Sequence, residues 1–141
     1  MSDTSEVIRQ FNDAFLHHDP DRLDELVAAQ CVMEAIQPAP DGARYEGRAA
    51  CLAFWQALAG DRATQFETEE ITTAGDRATI RWRYRYGAGA ADYVRGVNLM
   101  RVRDGKIVEA LGYSKVPGDT AVPLAADQSD RQGPADIEEQ G

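Results

Sequence analysis

The sequence predicts an α+β domain in which helices close one side of a curved antiparallel sheet, and three observations predict it. Apolar residues in the first half recur at helical spacing, as in Val7, Ile8, Phe11, Ala14 and Phe15. From Thr64 onward the period falls to two, most clearly where Ile80, Trp82, Tyr84 and Tyr86 alternate with Arg81, Arg83 and Arg85. Short glycine-containing turns join these later segments, and such turns allow only antiparallel neighbours. Helices that precede a meander must cover one of its faces.

The elements follow in order. Asp3 to His18 is expected to be an amphipathic helix, with Asp3 and Glu6 spaced as a capping box. Asp19-Pro20 stops it and opens a second helix, with Asp19 as N-cap, Pro20 at the first position and Leu23, Leu26 and Val27 as its apolar stripe. Cys31 to Ile36 is a short strand, and Pro38 to Gly42 a loop. A third helix runs from Arg48 to Ala59 and ends at Gly60-Asp61. Four strands then follow: Thr64 to Thr73, Arg77 to Tyr86, Asp92 to Arg103 and Lys106 to Val116. Asp104-Gly105 between the last two is a strong two-residue hairpin signal.

Length and composition bound the function. The chain has 141 residues, the length of one domain, and 43% of them are hydrophobic. The folding unit is expected to span 1–116. Residues 117–141 carry six acids against the single Arg131 and no aromatic group, and read as a solvated, disordered acidic tail. A net charge of −9 argues against nucleic acid or an anionic membrane as partner, since both select a positive face. No apolar run approaches the ~18 residues of a membrane span. Met1 to Glu6 lacks the features of a signal peptide, so a cytoplasmic location is expected. Cys31 and Cys51 fit a reduced interior as small buried groups. His17 and His18 stand together without a second ligand cluster, so no metal site is expected. There is no dinucleotide fingerprint, phosphate-binding loop or serine-nucleophile motif, so no cofactor is expected.

Three segments carry a family resemblance. They are FNDAFLHHDPDRLDELVA from Phe11, YEGRAACLAFW from Tyr45 to Trp55, and RVRDGKIVEALGY from Arg101 to Tyr113. In that order they resemble the opening helical pair, the entry to the third helix and the final hairpin of the SnoaL-like branch of the nuclear transport factor 2-like superfamily. The resemblance covers about residues 5–116. It implies a cone-shaped fold with a pocket between helices and sheet, in a group that includes polyketide cyclases and relatives of ketosteroid isomerase. The superfamily hosts isomerases, cyclases, epoxide hydrolases, dehydratases and non-catalytic members, so the fold does not fix the activity. The ketosteroid isomerase site does not carry over. Its oxyanion-hole tyrosine falls at Phe11, its general-base aspartate at Ala35 beside Glu34, and its second oxyanion donor at Asn98.

Candidate site residues follow. Glu34 lies in an otherwise apolar stretch, where enclosure would make a carboxylate a usable acid or base; strand alternation alone would turn it outward, opposite Met33. Asn98 is a polar residue within the apolar run Val97 to Met100, and an inward amide donates to a ligand oxygen or to the sheet. Phe11, Phe15, Met33, Phe54, Trp55, Trp82, Tyr84 and Met100 are expected to line the pocket. Arg81, Arg83 and Arg85 face Glu67 and Glu69 on the neighbouring strand, which reads as cross-strand charge pairing, with anion binding as the other reading. An inward Asn98 puts Val97, Leu99, Leu111 and Tyr113 on the outer face, a surface suited to a homodimer. The leading expectation is a cofactor-independent isomerase, cyclase or hydratase acting on a small apolar oxygenated substrate. The alternatives are a non-catalytic ligand binder and a dimeric scaffold.

Overall fold

The computed structural model describes residues 3–38 and 40–115, so the expected acidic tail lies outside the described residues. Helix α1 spans Thr4–Leu16. Asp3 caps it, its Oδ1 accepting the Glu6 backbone N–H at 2.8 Å. The Glu6 carboxylate does not complete the box; it takes Arg9 and Gln10 on the next turn instead. The second helix is a short 3-10 segment, Pro20–Glu25, with proline at its start as expected. Asp19 makes no side-chain cap there and pairs with Arg22 at 3.4 Å.

Strand β1 spans Val27–Glu34, so it begins four residues before the expected strand and takes Val27 from the expected helix. The three-residue β2, Arg44–Glu46, carried too little pattern to be read. Helix α2 runs Arg48–Gly60. Gly47, at φ 93°, precedes it in a conformation that an L side chain resists. The meander follows as β3 Gln65–Ala74, β4 Arg77–Arg85, β5 Tyr93–Arg103 and β6 Lys106–Ser114. Asp104 and Gly105 both have positive φ, 54° and 77°, the geometry that a two-residue hairpin demands.

The six strands form one curved open sheet in the order β2-β1-β6-β5-β4-β3. The last four pair antiparallel in sequence, while β1 returns beside β6 in parallel. Register shifts interrupt β1, β3 and the β5–β6 pair. Such bulges bend a sheet and help it wrap the helices. The core lies between the inner face and the helices: Val7, Ile8 and Phe11 of α1 and Trp55 of α2 cluster with Ile80, Trp82 and Ile107. Burying each such large side chain contributes about 1.5–3 kcal/mol.

The outer face is ionic. Glu67 accepts from Arg85 at 2.7 Å, and Glu69 meets Arg95 at 2.8 Å and Arg83 at 3.8 Å. The shift between Thr68 and Glu70 brings Glu70 opposite Arg81, at 3.5 Å, in place of one of the two acids read from sequence. Arg83 also stacks over Tyr93 at 4.4 Å. Every arginine of the expected stripe therefore has a carboxylate partner. Among the described residues no helix is long and apolar enough to cross a membrane.

Candidate functional site

A cavity of about 460 Å³ opens between α1, α2 and the inner sheet face. The amphipathic period of α1 delivers Phe11 and Phe15 to it, and α2 adds Phe54, Trp55 and Leu58. From the sheet come Phe66, Ile80, Trp82 and Tyr84, on successive inward positions of β3 and β4. The rings pack edge to face: Phe11 on Trp55 at 5.0 Å and 80°, Phe66 on Trp82 at 5.5 Å and 88°. Seven of the eight expected lining residues are present. Met100 is the exception. It is 2% exposed, with Ala78 and Ala110 as its cross-strand partners, and belongs to the core that closes over the sheet beyond Asn98.

Asn98 faces the cavity, opposite Ile80 on β4 and Gly112 on β6. Its Oδ1 accepts the Trp82 indole N–H at 3.2 Å. An indole N–H only donates, so the carboxamide must turn its oxygen to the ring. The Asn98 Nδ2, with two donors, has no protein partner among the described residues and is not sealed from the cavity. Gly112 beside it keeps the wall thin, since an added Cβ there would stand 3.4 Å from Oδ1 and 3.2 Å from the Glu34 carbonyl oxygen.

Glu34 borders the same cavity, but not in the apolar enclosure expected from its neighbours. Met33 is 3% exposed on the inner face, and alternation turns Glu34 to the other. There Arg44, its register partner on β2, donates from Nη1 to Oε2 at 3.2 Å, and 31% of the Glu34 side chain remains exposed. β2 was not legible in the sequence, so neither was this guanidinium. Among the described residues Glu34 is the one acidic residue that borders the cavity, its side chain turned away onto Arg44, and neither histidine borders it.

His18 is occupied elsewhere, between the Ala59 carbonyl at 3.0 Å and Gln65 Oε1 at 2.9 Å. Cys31 and Cys51 are buried free thiols, and Cys51 donates to the Cys31 carbonyl at 3.5 Å. Burial pushes the Cys31 thiol well above the ordinary range and raises that of Cys51 as well. Among the described residues no three His, Cys, Asp or Glu side chains gather as a metal site.

Several lining residues were not read from the sequence. Tyr45 enters with β2 and packs on Phe54 at 5.1 Å. Phe66 alternates with Gln65 and Glu67 in a strand whose polar residues masked its inward position. Asn12, one step from Phe11, reaches the rim and donates to Thr68 Oγ1 at 2.7 Å.

The comparisons with known proteins agree with this fold. The model of the SnoaL-like domain family matches residues 8–110. A nuclear transport factor 2-like protein of unknown function from Mesorhizobium loti is 57% identical, with a TM-score of 0.75 over 80% of this chain and 91% of that one. A candidate polyketide cyclase from Sinorhizobium meliloti is 27% identical, with a TM-score of 0.61 over 76% of this chain and 93% of that one. A candidate ketosteroid isomerase from Kribbella flavida shares the fold at 20% identity, with a TM-score of 0.66 over 98% of this chain and 95% of that one. No relative was found among curated proteins.

Proposed function

We propose that this chain, which belongs to the SnoaL-like domain family, takes up a small, uncharged, largely apolar ring compound bearing an oxygen atom. The unpartnered Asn98 Nδ2 in an aromatic-walled cavity of about 460 Å³ carries this reading. Apolar walls with few polar groups bind by area and orient by the polar group. An amide donates at any pH, with no titration to maintain it.

A thermal-shift screen against steroids, terpenoids, aromatic polyketides and their epoxides tests it. A ligand of the folded state at a hundred times its Kd adds about 2.7 kcal/mol. A hit whose shift is lost in Asn98→Ala supports the reading. A hit that ignores Asn98 removes that residue, and a flat response across all classes moves the weight to a scaffold role.

A second observation favours catalysis. Glu34 borders the cavity that Asn98 enters, and the 27% identical neighbour is a candidate polyketide cyclase. Isomerisation and aldol-type cyclisation both begin with removal of a proton next to a carbonyl. Asn98 would hold the carbonyl oxygen as it gains charge, and the Glu34 carboxylate, turned to the other face of β1 onto Arg44, would have to leave that partner and swing over the rim to take the proton. The exposed apolar groups of the outer face, Leu99 and Tyr113, are proposed to meet a second copy of the chain.

A further inference from the structure

Met100 on β5 stands between two alanines of the inner sheet face, Ala78 on β4 and Ala110 on β6, and Met33 on β1 stands beyond Ala110. Across four strands the row alternates large and small. Both alanines are buried, but they differ in what covers them. Ala110 borders the cavity and Ala78 does not. Were the row an ordinary packed layer, neighbouring side chains would fill the space above both. Above Ala78, a member of the core, they do. Above Ala110 they leave a notch between the two methionines, whose Cα atoms are two strand spacings apart, about 10 Å. Met33 lines the cavity there, while Met100 is packed into the core and closes the notch from behind. The notch has a fixed place relative to the amide. Gly112, the partner of Asn98, is the next inward residue of β6 after Ala110, so the notch lies about 7 Å along the strand from the level of Asn98. That spacing leaves room for one or two carbons beyond the atom that carries the ligand oxygen.

We infer that Ala110 and Met100 determine the size specificity of the cavity: the notch takes a methyl or ethyl group next to the oxygen-bearing carbon of the ligand, and Met100 sets the length at which that group must stop. The inference rests on the pocket reading above and deepens it. A longer group would have to push aside a thioether chain already packed in the core, and cores resist such overfilling. A group too long for an apolar site of fixed depth weakens binding by about tenfold or more.

The test is a titration of the full chain with 2-acetonaphthone and 2-hexanonaphthone, an uncharged bicyclic pair differing only in the length of the alkyl chain on the carbonyl carbon. It is followed by NMR of the methionine methyl groups, of which the chain has only three. The acetyl compound is expected to bind about tenfold tighter or more and to move the Met33 and Met100 signals. In Met100→Ala the stop is gone, and the acetyl-to-hexanoyl ratio should fall to about one or reverse. Ala110→Val fills the notch and should weaken the acetyl compound about tenfold. Should Met100→Ala not fold, the wild-type affinities and methyl signals still decide the matter. Equal affinities in the wild type, a preference for the longer chain, or binding that leaves both methionine signals in place overturns the notch and leaves the pocket reading standing. A preference for the acetyl compound that survives Met100→Ala overturns the role of Met100. If neither compound binds, this inference falls, and the thermal-shift screen decides the pocket reading separately.

Discussion

Gly96 and Trp82 face each other as partners on β5 and β4, and the indole occupies the volume where any larger residue at 96 would place its Cβ. The Tyr113 carbonyl lies 2.5 Å from that position on the other side, so backbone as well as side chain would have to move. Gly96→Ala is therefore expected to destabilise the fold by about 1–3 kcal/mol, the usual cost of overpacking. Urea denaturation measures it. A midpoint equal to wild type would mean that the indole yields freely, and the slot would lose its meaning.

Glu34 bonds Arg44 at the cavity rim with 31% of its side chain exposed. Pairs this open contribute at most about 1 kcal/mol. Glu34→Gln should therefore melt close to wild type and bind ligand as before. Once a substrate is in hand, its turnover should fall by about a hundredfold or more, the usual share of a general base. Unchanged turnover would leave the chain a binder, or assign the proton to another group.

Cys31 and Cys51 are both fully buried. Burial raises the proton affinity of each thiol in the folded state, and only the thiolate reacts. Disulfide reagents at pH 8 should leave both untouched until denaturant is added. The linkage has a definite sign. Below about pH 8.5 both states keep the protons and the thiols add no pH dependence. As pH rises beyond that, the unfolded chain releases its protons while the folded chain holds them, so stability falls. Cys31→Ala/Cys51→Ala should flatten that alkaline decline, and a decline of the same slope would assign it to other groups.

Leu99 and Tyr113 are 42% and 54% exposed on the outer sheet face, among the arginine–glutamate pairs. Sedimentation velocity is expected to find a dimer, and Leu99→Asp with Tyr113→Asp a monomer that keeps its fold by circular dichroism. A wild-type chain that stays monomeric at high micromolar concentration would leave this face without a partner.

The sequence by itself determined the helices and the meander, because periodicity and turn chemistry are local. Val7 to Phe15 repeat with the helix, Ile80 to Tyr86 alternate with the pleat, and Asp104-Gly105 admits the one tight turn between β5 and β6. It also brought most of the cavity wall within reach, since residues on the apolar face of such elements have only one side to point toward. Tertiary structure decided the rest. The return of β1 beside β6 and the addition of β2 join residues far apart in the chain, and no local pattern encodes such pairing. That pairing gave Glu34 a guanidinium partner in place of apolar enclosure, and a single bulge moved Arg81 from the expected acids to Glu70. The direction of the Asn98 amide is the clearest case. Its type and inward register could be read from β5, but which end meets a ligand depends on where the Trp82 N–H lies, and packing against Gly96 and Phe66 sets that position.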